Sequence, residues 1–125
     1  MDTKENLRAW GVEQEAIALA YLLEKGYRLV KRNFTFGKAG EIDLVMRDRE
    51  VYVFVEVKAR KNHFRGTPED AVDERKRTQL KRVARGFIHV SGLKSYEARF
   101  DVVAIDYATG APGKPEIRHL IDAFR

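Results

Sequence analysis

Asp43, Glu56 and Lys58 stand in GEIDLVMRDREVYVFVEVKAR, residues 40–60, among valines, leucine and isoleucine, where an unpaired charge is costly to bury. Strand side chains alternate with period two. Glu56 and Lys58 therefore share one face of VYVFVEVKA with Tyr52 and Phe54, and Val51, Val53, Val55 and Val57 share the other. In EIDLVM the same period sets Glu41, Asp43 and Val45 opposite Ile42, Leu44 and Met46. A hairpin loop of two or four residues centred on Asp48 and Arg49 pairs odd positions with even ones. Glu41 or Asp43 then lies on the face of Glu56 and Lys58, and an odd loop or a bulge would separate them.

Hydrolysing a phosphodiester requires screening of the phosphate charge, hydroxide near neutral pH and stabilisation of the leaving oxygen. Mg²⁺ or Mn²⁺ held by one or two carboxylates supplies all three, and a neighbouring lysine orients the attacking water or offsets developing charge. Asp43, Glu56 and Lys58 are the residue types for that task. The bland alternative is a solvated strand face with a weak Glu56–Lys58 pair. Tyr52 and Phe54, interleaved with the charges, weigh against an ordinary exposed face.

Around this hairpin the elements read as one α/β domain over residues 1–125, in the order α-β-β-β-α-β. Residues 5–25 form a helix ending at Gly26, and its apolar residues surround the axis between Ala16 and Leu23, which predicts cover on more than one side. Gly11 within it is a place where another backbone could approach closely. Residues 27–36 form a strand closed by GKAG. A second helix runs from Thr67, the N-cap, through Pro68, Glu69 and Asp70 in its first turn to Gly92. RFDVVAIDY, residues 99–107, is a strand parallel to the earlier one if they share a sheet, and EIRHLIDAF is a short strand or a last turn.

The net charge is +5, concentrated in KARKNHFR (58–65) and ERKRTQLKRVAR (74–85), which suits a polyanionic partner. Cysteine is absent, so disulfides, thiolate metal sites and cysteine nucleophiles are excluded and any metal must bind oxygen or imidazole. The longest apolar run, AIALAYLL, is far short of a membrane span, and MDTKENLRAW lacks the organisation of a secretory signal. A cytoplasmic protein with no membrane partner is the expectation.

Gly11, Glu15 and Ala18 in the first helix, then KRNF, GEIDLV, VFVEVKAR, a helix bearing Lys76 and Gln79, RFDVV and a terminal IDAF make the chain similar to the small YraN-like bacterial proteins. Those resemble PD-(D/E)xK nucleases, near the Holliday junction resolvases. The resemblance implies a restriction-endonuclease-like fold with a mixed sheet flanked by helices. It implies Asp43 and Glu56 as metal-binding acids and Lys58 as the catalytic lysine of a Mg²⁺-dependent endonuclease on DNA, branched forms included, working as a homodimer. Ile42 replaces the proline of the superfamily motif, as in resolvase-like members.

Glu15 matches the first-helix acid that related nucleases bring to the metal; a glutamate at the edge of a buried helix is the other reading. Glu41 is a further ligand, a supporting carboxylate or a solvated strand-end charge. Lys76 and Gln79 share a helix face that touches phosphate in related nucleases, against a solvated basic helix. Arg60, His63 and Arg65 follow the catalytic strand and either grip phosphates or are ordinary surface charge. Trp10 and Tyr21 read as core. The alternative function is a nucleic-acid-binding or partner-binding module with an idle site; a hydrolase of another phosphate ester is a third.

Overall fold

A computed structural model describes residues 3–125. The elements are α1 (Lys4–Glu24), β1 (Arg28–Thr35), β2 (Glu41–Asp48), β3 (Val51–Arg60), a 3-10 turn (Glu69–Ala71), α2 (Glu74–Ser91), β4 (Glu97–Asp106) and β5 (Glu116–Phe124). The five strands lie in the order β1-β2-β3-β4-β5. β3 and β4 are parallel, joined through α2, and the other neighbours are antiparallel. The expected α/β architecture with a mixed sheet and flanking helices holds, and EIRHLIDAF proves to be a fifth strand. Among the described residues no helix is long and apolar enough to cross a membrane.

The β2–β3 turn is Arg49 and Glu50, one residue later than expected, with Arg49 at φ +56. It is still a two-residue turn, so odd positions meet even ones: Leu44 pairs with Val55 and Val45 with Phe54. Val53, Val55 and Val57 pack with Leu44, Met46, Ala18 and Leu22 under α1, whereas Phe54 and Val45 pack with Leu80, Val83 and Phe87 of α2. Each fully buried Val, Leu or Phe contributes about 1.5–3 kcal/mol. These two clusters fix which way every polar side chain of the hairpin points.

Ile42 departs from the predicted alternation. It joins Val45 on the α2 side instead of sharing a face with Leu44 and Met46. The β1–β2 pairing keeps one register across this stretch. Asn33 sits in left-handed backbone at φ +53, and regular pairing is recorded on either side of it, at Arg32 with Leu44 and Phe34 with Ile42.

Three further expectations need correction. The first helix is covered on one face only, where Gln14, Ala18 and Leu22 are buried; Val12 and Leu23 are exposed. Nothing approaches a Cβ built on Gly11, so no backbone contact explains that residue. The second helix does not run continuously from Thr67. Thr67 Oγ1 accepts from Asp70 N at 3.3 Å, but that cap launches only the 3-10 turn; Asp73 then caps α2 by accepting from Lys76 N at 2.9 Å. The break lets Val72 turn into the α2 cluster, and it presents Glu69 to Arg118.

Arg118 of β5 binds both oxygens of Glu69 (2.8 and 2.7 Å) and reaches the fully buried Asp106 of β4 at 2.7 Å. His63 Nε2 meets the same Asp106 oxygen at 2.7 Å. The Arg118 hydrogen bonds hold the Glu69 carboxyl at about 2. Burial pushes Asp106 upward but is outweighed by hydrogen bonds from Arg118 and His63, which leave it at about 2. Carboxyls lowered in this way stabilise the fold above their ordinary pKa of about 4, and that stability is lost as pH falls through about 2. Arg118→Met should lower urea-unfolding stability by about 3 kcal/mol near neutral pH, and its gap from wild type should narrow below about pH 4. An undiminished gap in acid would assign the loss to packing instead.

Candidate functional site

The main-chain ladder between β2 and β3 is recorded from Asp48 and Val51 up to Leu44 and Val55. Beyond it the Asp43 side chain takes over: Val57 N donates to Asp43 Oδ2 at 2.8 Å. A carboxylate that replaces a ladder carbonyl is fixed by the sheet itself. From β1, Asn33 Nδ2 donates to Glu15 Oε1 at 2.8 Å and to Glu41 Oε1 at 2.9 Å, linking α1 to β2. The left-handed backbone of Asn33 accompanies this double contact. Ligand atoms of Glu15, Glu41 and Asp43 lie within 4.8 Å of one another, a spacing at which one cation can be shared.

Glu56, on β3, is almost fully buried. Its Oε2 faces Lys76 Nζ of α2 at 3.2 Å and Lys58 Nζ at 3.8 Å. Burial of the Asp43 carboxyl, reinforced by Glu56 and Glu15 nearby, pushes its pKa up to about 9 even though Val57 N favours the charged form. A cleft of about 290 Å³ exposes Glu15, Glu41, Asp43, Glu56, Lys58 and Lys76 together, with Trp10 on its rim. If all four carboxyls ionise, the two lysines leave two negative charges over. One divalent cation would balance them, so the donor set fits Mg²⁺ or Mn²⁺, both of which favour oxygen ligands.

The residues read from the sequence divide between four places. Asp43, Glu56, Lys58, Glu15 and Glu41 meet in the cleft, and Lys76 reaches it from α2. Lys76 also lines a neighbouring groove of about 650 Å³ with Gln79, Lys38, Arg75 and Arg82. Gln79 packs on Gly40, where an added Cβ would collide with its amide. Arg60 and Arg65 line a depression beside the cleft that shares Trp10 and Ala59 with it. His63 lies outside the cleft and is held by Asp106. Trp10 is half-buried, stacked obliquely on Tyr107 with centroids 6.0 Å apart, so it is wall as much as core.

Sequence reasoning missed Asn33 and Gln14. Gln14 is buried and accepts from Tyr107 Oη at 2.8 Å, which anchors the α1 turn that carries Glu15. The available signal for Asn33 was its type: asparagine is one of the few residues that tolerates left-handed backbone.

A carboxyl whose pKa is raised from about 4 to about 9 stabilises the fold fully below about pH 4, and that stability disappears as pH rises through about 9. Asp43→Asn keeps an acceptor for Val57 N and removes the charge. At pH 8 in chelator it should melt roughly 3–6 °C above wild type. Added Mg²⁺ or Mn²⁺ should raise the wild-type melting temperature and leave the variant's unchanged. A wild type as stable as the variant at that pH would mean that the carboxyls are not crowded.

Comparison with known proteins agrees over most of the chain. The model of a family described as "Uncharacterised protein family UPF0102" matches residues 14–105. A UPF0102 protein of Natranaerobius thermophilus is 41% identical over 120 residues, covering 95% of this chain and 99% of that protein. One from Geotalea uraniireducens is 42% identical over 120 residues, with 94% and 90% covered. One from Caldanaerobacter subterraneus subsp. tengcongensis is 36% identical over 121 residues, with 97% and 98% covered. The YraN-like resemblance in the sequence is to these same proteins, and the chain belongs to the uncharacterised protein family UPF0102.

Proposed function

We propose that the protein is a metal-dependent endonuclease that hydrolyses DNA phosphodiester bonds in the cleft between α1, β2 and β3. The observation that carries this reading is the convergence of Glu15, Glu41 and Asp43 within 4.8 Å, beside a Glu56 flanked by Lys58 and Lys76. Four carboxyls at one spot are electrostatically unfavourable without a cation. In this reading Asp43, Glu15 and Glu41 hold Mg²⁺ or Mn²⁺, with Glu56 completing the acidic wall. The metal would lower the pKa of water and screen the phosphate. Lys58 orients the attacking water, and Lys76 steadies Glu56 and faces a phosphate oxygen. The groove lined by Arg75, Gln79 and Arg82 supports the reading because phosphate contacts along a basic track position a strand without reading its sequence. Likeness to junction resolvases extends the proposal to branched DNA, to a homodimer and to the cytoplasm.

One observation favours a second reading, a DNA- or partner-binding module with an idle site. The Lys76 ammonium already neutralises Glu56 at 3.2 Å, so part of the acidic wall is balanced without metal. Purified protein incubated with duplex, single-stranded and four-way-junction DNA in Mg²⁺ or Mn²⁺ separates the two. Wild type should cleave at least one substrate, Lys58→Ala should be slower by roughly 10²–10³-fold, and Asp43→Asn should be at least as impaired. Binding without cleavage on every substrate would establish the module. Equal cleavage by wild type and Asp43→Asn would place the activity in a contaminant.

A further inference from the structure

The loop after β3, residues 61–66, carries Phe64, the most exposed large hydrophobic side chain among the described residues at 92%. A single exposed apolar side chain is ordinary. The setting of this one is not. Phe64 N donates to Asn62 Oδ1 at 3.0 Å, Gly66 N donates to His63 O at 3.0 Å, and the His63 ring is tied to buried Asp106. The ring is therefore held out into water on a loop that is itself fastened to the sheet. Arg60 and Arg65 line a depression of about 320 Å³ with Phe64, and Lys61 Nζ lies 5.2 Å over the Trp10 ring on its other wall. No acidic residue occurs between Val57 and Gly66. Trp10 and Ala59 border both spaces, so the depression adjoins the acidic cleft.

An aromatic face among cations, lined by no carboxylate among the described residues and adjoining a phosphate-directed cleft, has the chemistry of a single-strand binding surface. Cations track the backbone and the ring stacks a base. Continuous duplex hides its base faces in the stack, so the ring has use only where a base is unpaired. We infer that Phe64 is a stacking platform for an unpaired nucleobase of a DNA strand leaving the cleft, with Arg60 and Arg65 on the adjoining phosphates. The path of the strand rests on the phosphodiester reading of the cleft. The protein accordingly favours single-stranded or locally unpaired DNA over continuous duplex.

The test is fluorescence anisotropy in EDTA, where no cleavage occurs, with a labelled oligothymidylate and a blunt duplex of equal length. Phe64→Leu, equally apolar but without a π face, should weaken single-strand binding by about 5- to 100-fold and leave duplex binding unchanged. Phe64→Trp should restore binding, with tryptophan quenching beyond that of wild type, whose only tryptophan is Trp10. Wild-type affinity in Phe64→Leu, equal losses on both DNAs, or no single-strand binding by wild type would each overturn the inference. So would a change in solution mass in Phe64→Leu, which would assign the ring to contact between copies of the chain. The readout is independent of turnover. Phe64-dependent binding without cleavage in metal would overturn the nuclease reading alone, whereas cleavage with Phe64-independent binding would overturn this inference alone.

Discussion

Like charges crowded together in a partly buried cleft are the constraint on which the rest of this structure depends. Asp43 lies beside Glu56, Glu15 and Glu41, and burial with those neighbours drives its carboxyl far above the ordinary range. Ionising such an arrangement costs folding stability as pH rises, so other contacts must hold it in place. Val57 N, at 2.8 Å, does so from the sheet, and Asn33 does so from the neighbouring strand. The other buried aspartates show the contrast. Asp101 is met by Arg99, His119 and the Asp122 amide, and Asp106 by Arg118, His63 and the Ala108 amide. Both are held below the ordinary range. Aspartates met by cations brace the sheet, and the one crowded by carboxylates marks the cleft.

The two helices have different tasks. α1 is pinned by Ala18 and Leu22 below and by the Gln14–Tyr107 hydrogen bond above, and it delivers Glu15 one residue beyond Gln14. α2 buries Leu80, Val83, Ala84 and Phe87 and leaves Arg75, Arg77, Arg82 and Arg85 exposed. Gly86 admits the Phe36 ring, which a Cβ would displace, so the helix seats close to the sheet. That seating brings Lys76 from the first turn of α2 to Glu56. Core packing and cleft electrostatics thus meet in one helix.

Much of this was legible because strand geometry is rigid. Period two separated the valines of β3 from Glu56 and Lys58, and a turn displaced by one residue kept the odd-with-even pairing of β2 and β3 as far as Leu44 and Val55, one residue short of Asp43. What escaped depended on tertiary competition. Thr67 and Asp73 are both competent caps, and choosing between them required Val72 to find the core and Glu69 to find Arg118, 49 residues away. His63 looked available for phosphate because its partner, Asp106, is 43 residues along the chain. The left-handed backbone at Asn33 left no trace in the apolar pattern of β1, and the alternation of β2 did not announce that Ile42 would join a different cluster from Leu44. The last strand was ambiguous for a similar reason: its pairing shifts between Phe100 and Val102 of β4, opposite a left-handed Asp122.

Those same irregularities fall on both outer strands. β1 carries a register shift between Leu29 and Lys31 and the turned Asn33, and it presents Arg28, Lys31 and Arg32; β5 is bent at Asp122. A sheet grows by adding a straight, uncharged neighbour to a free rim, and neither rim offers a smooth template. Self-assembly by strand addition is therefore disfavoured. The irregularities that turn Asn33 and Asp122 also guard the two rims of an open five-stranded sheet.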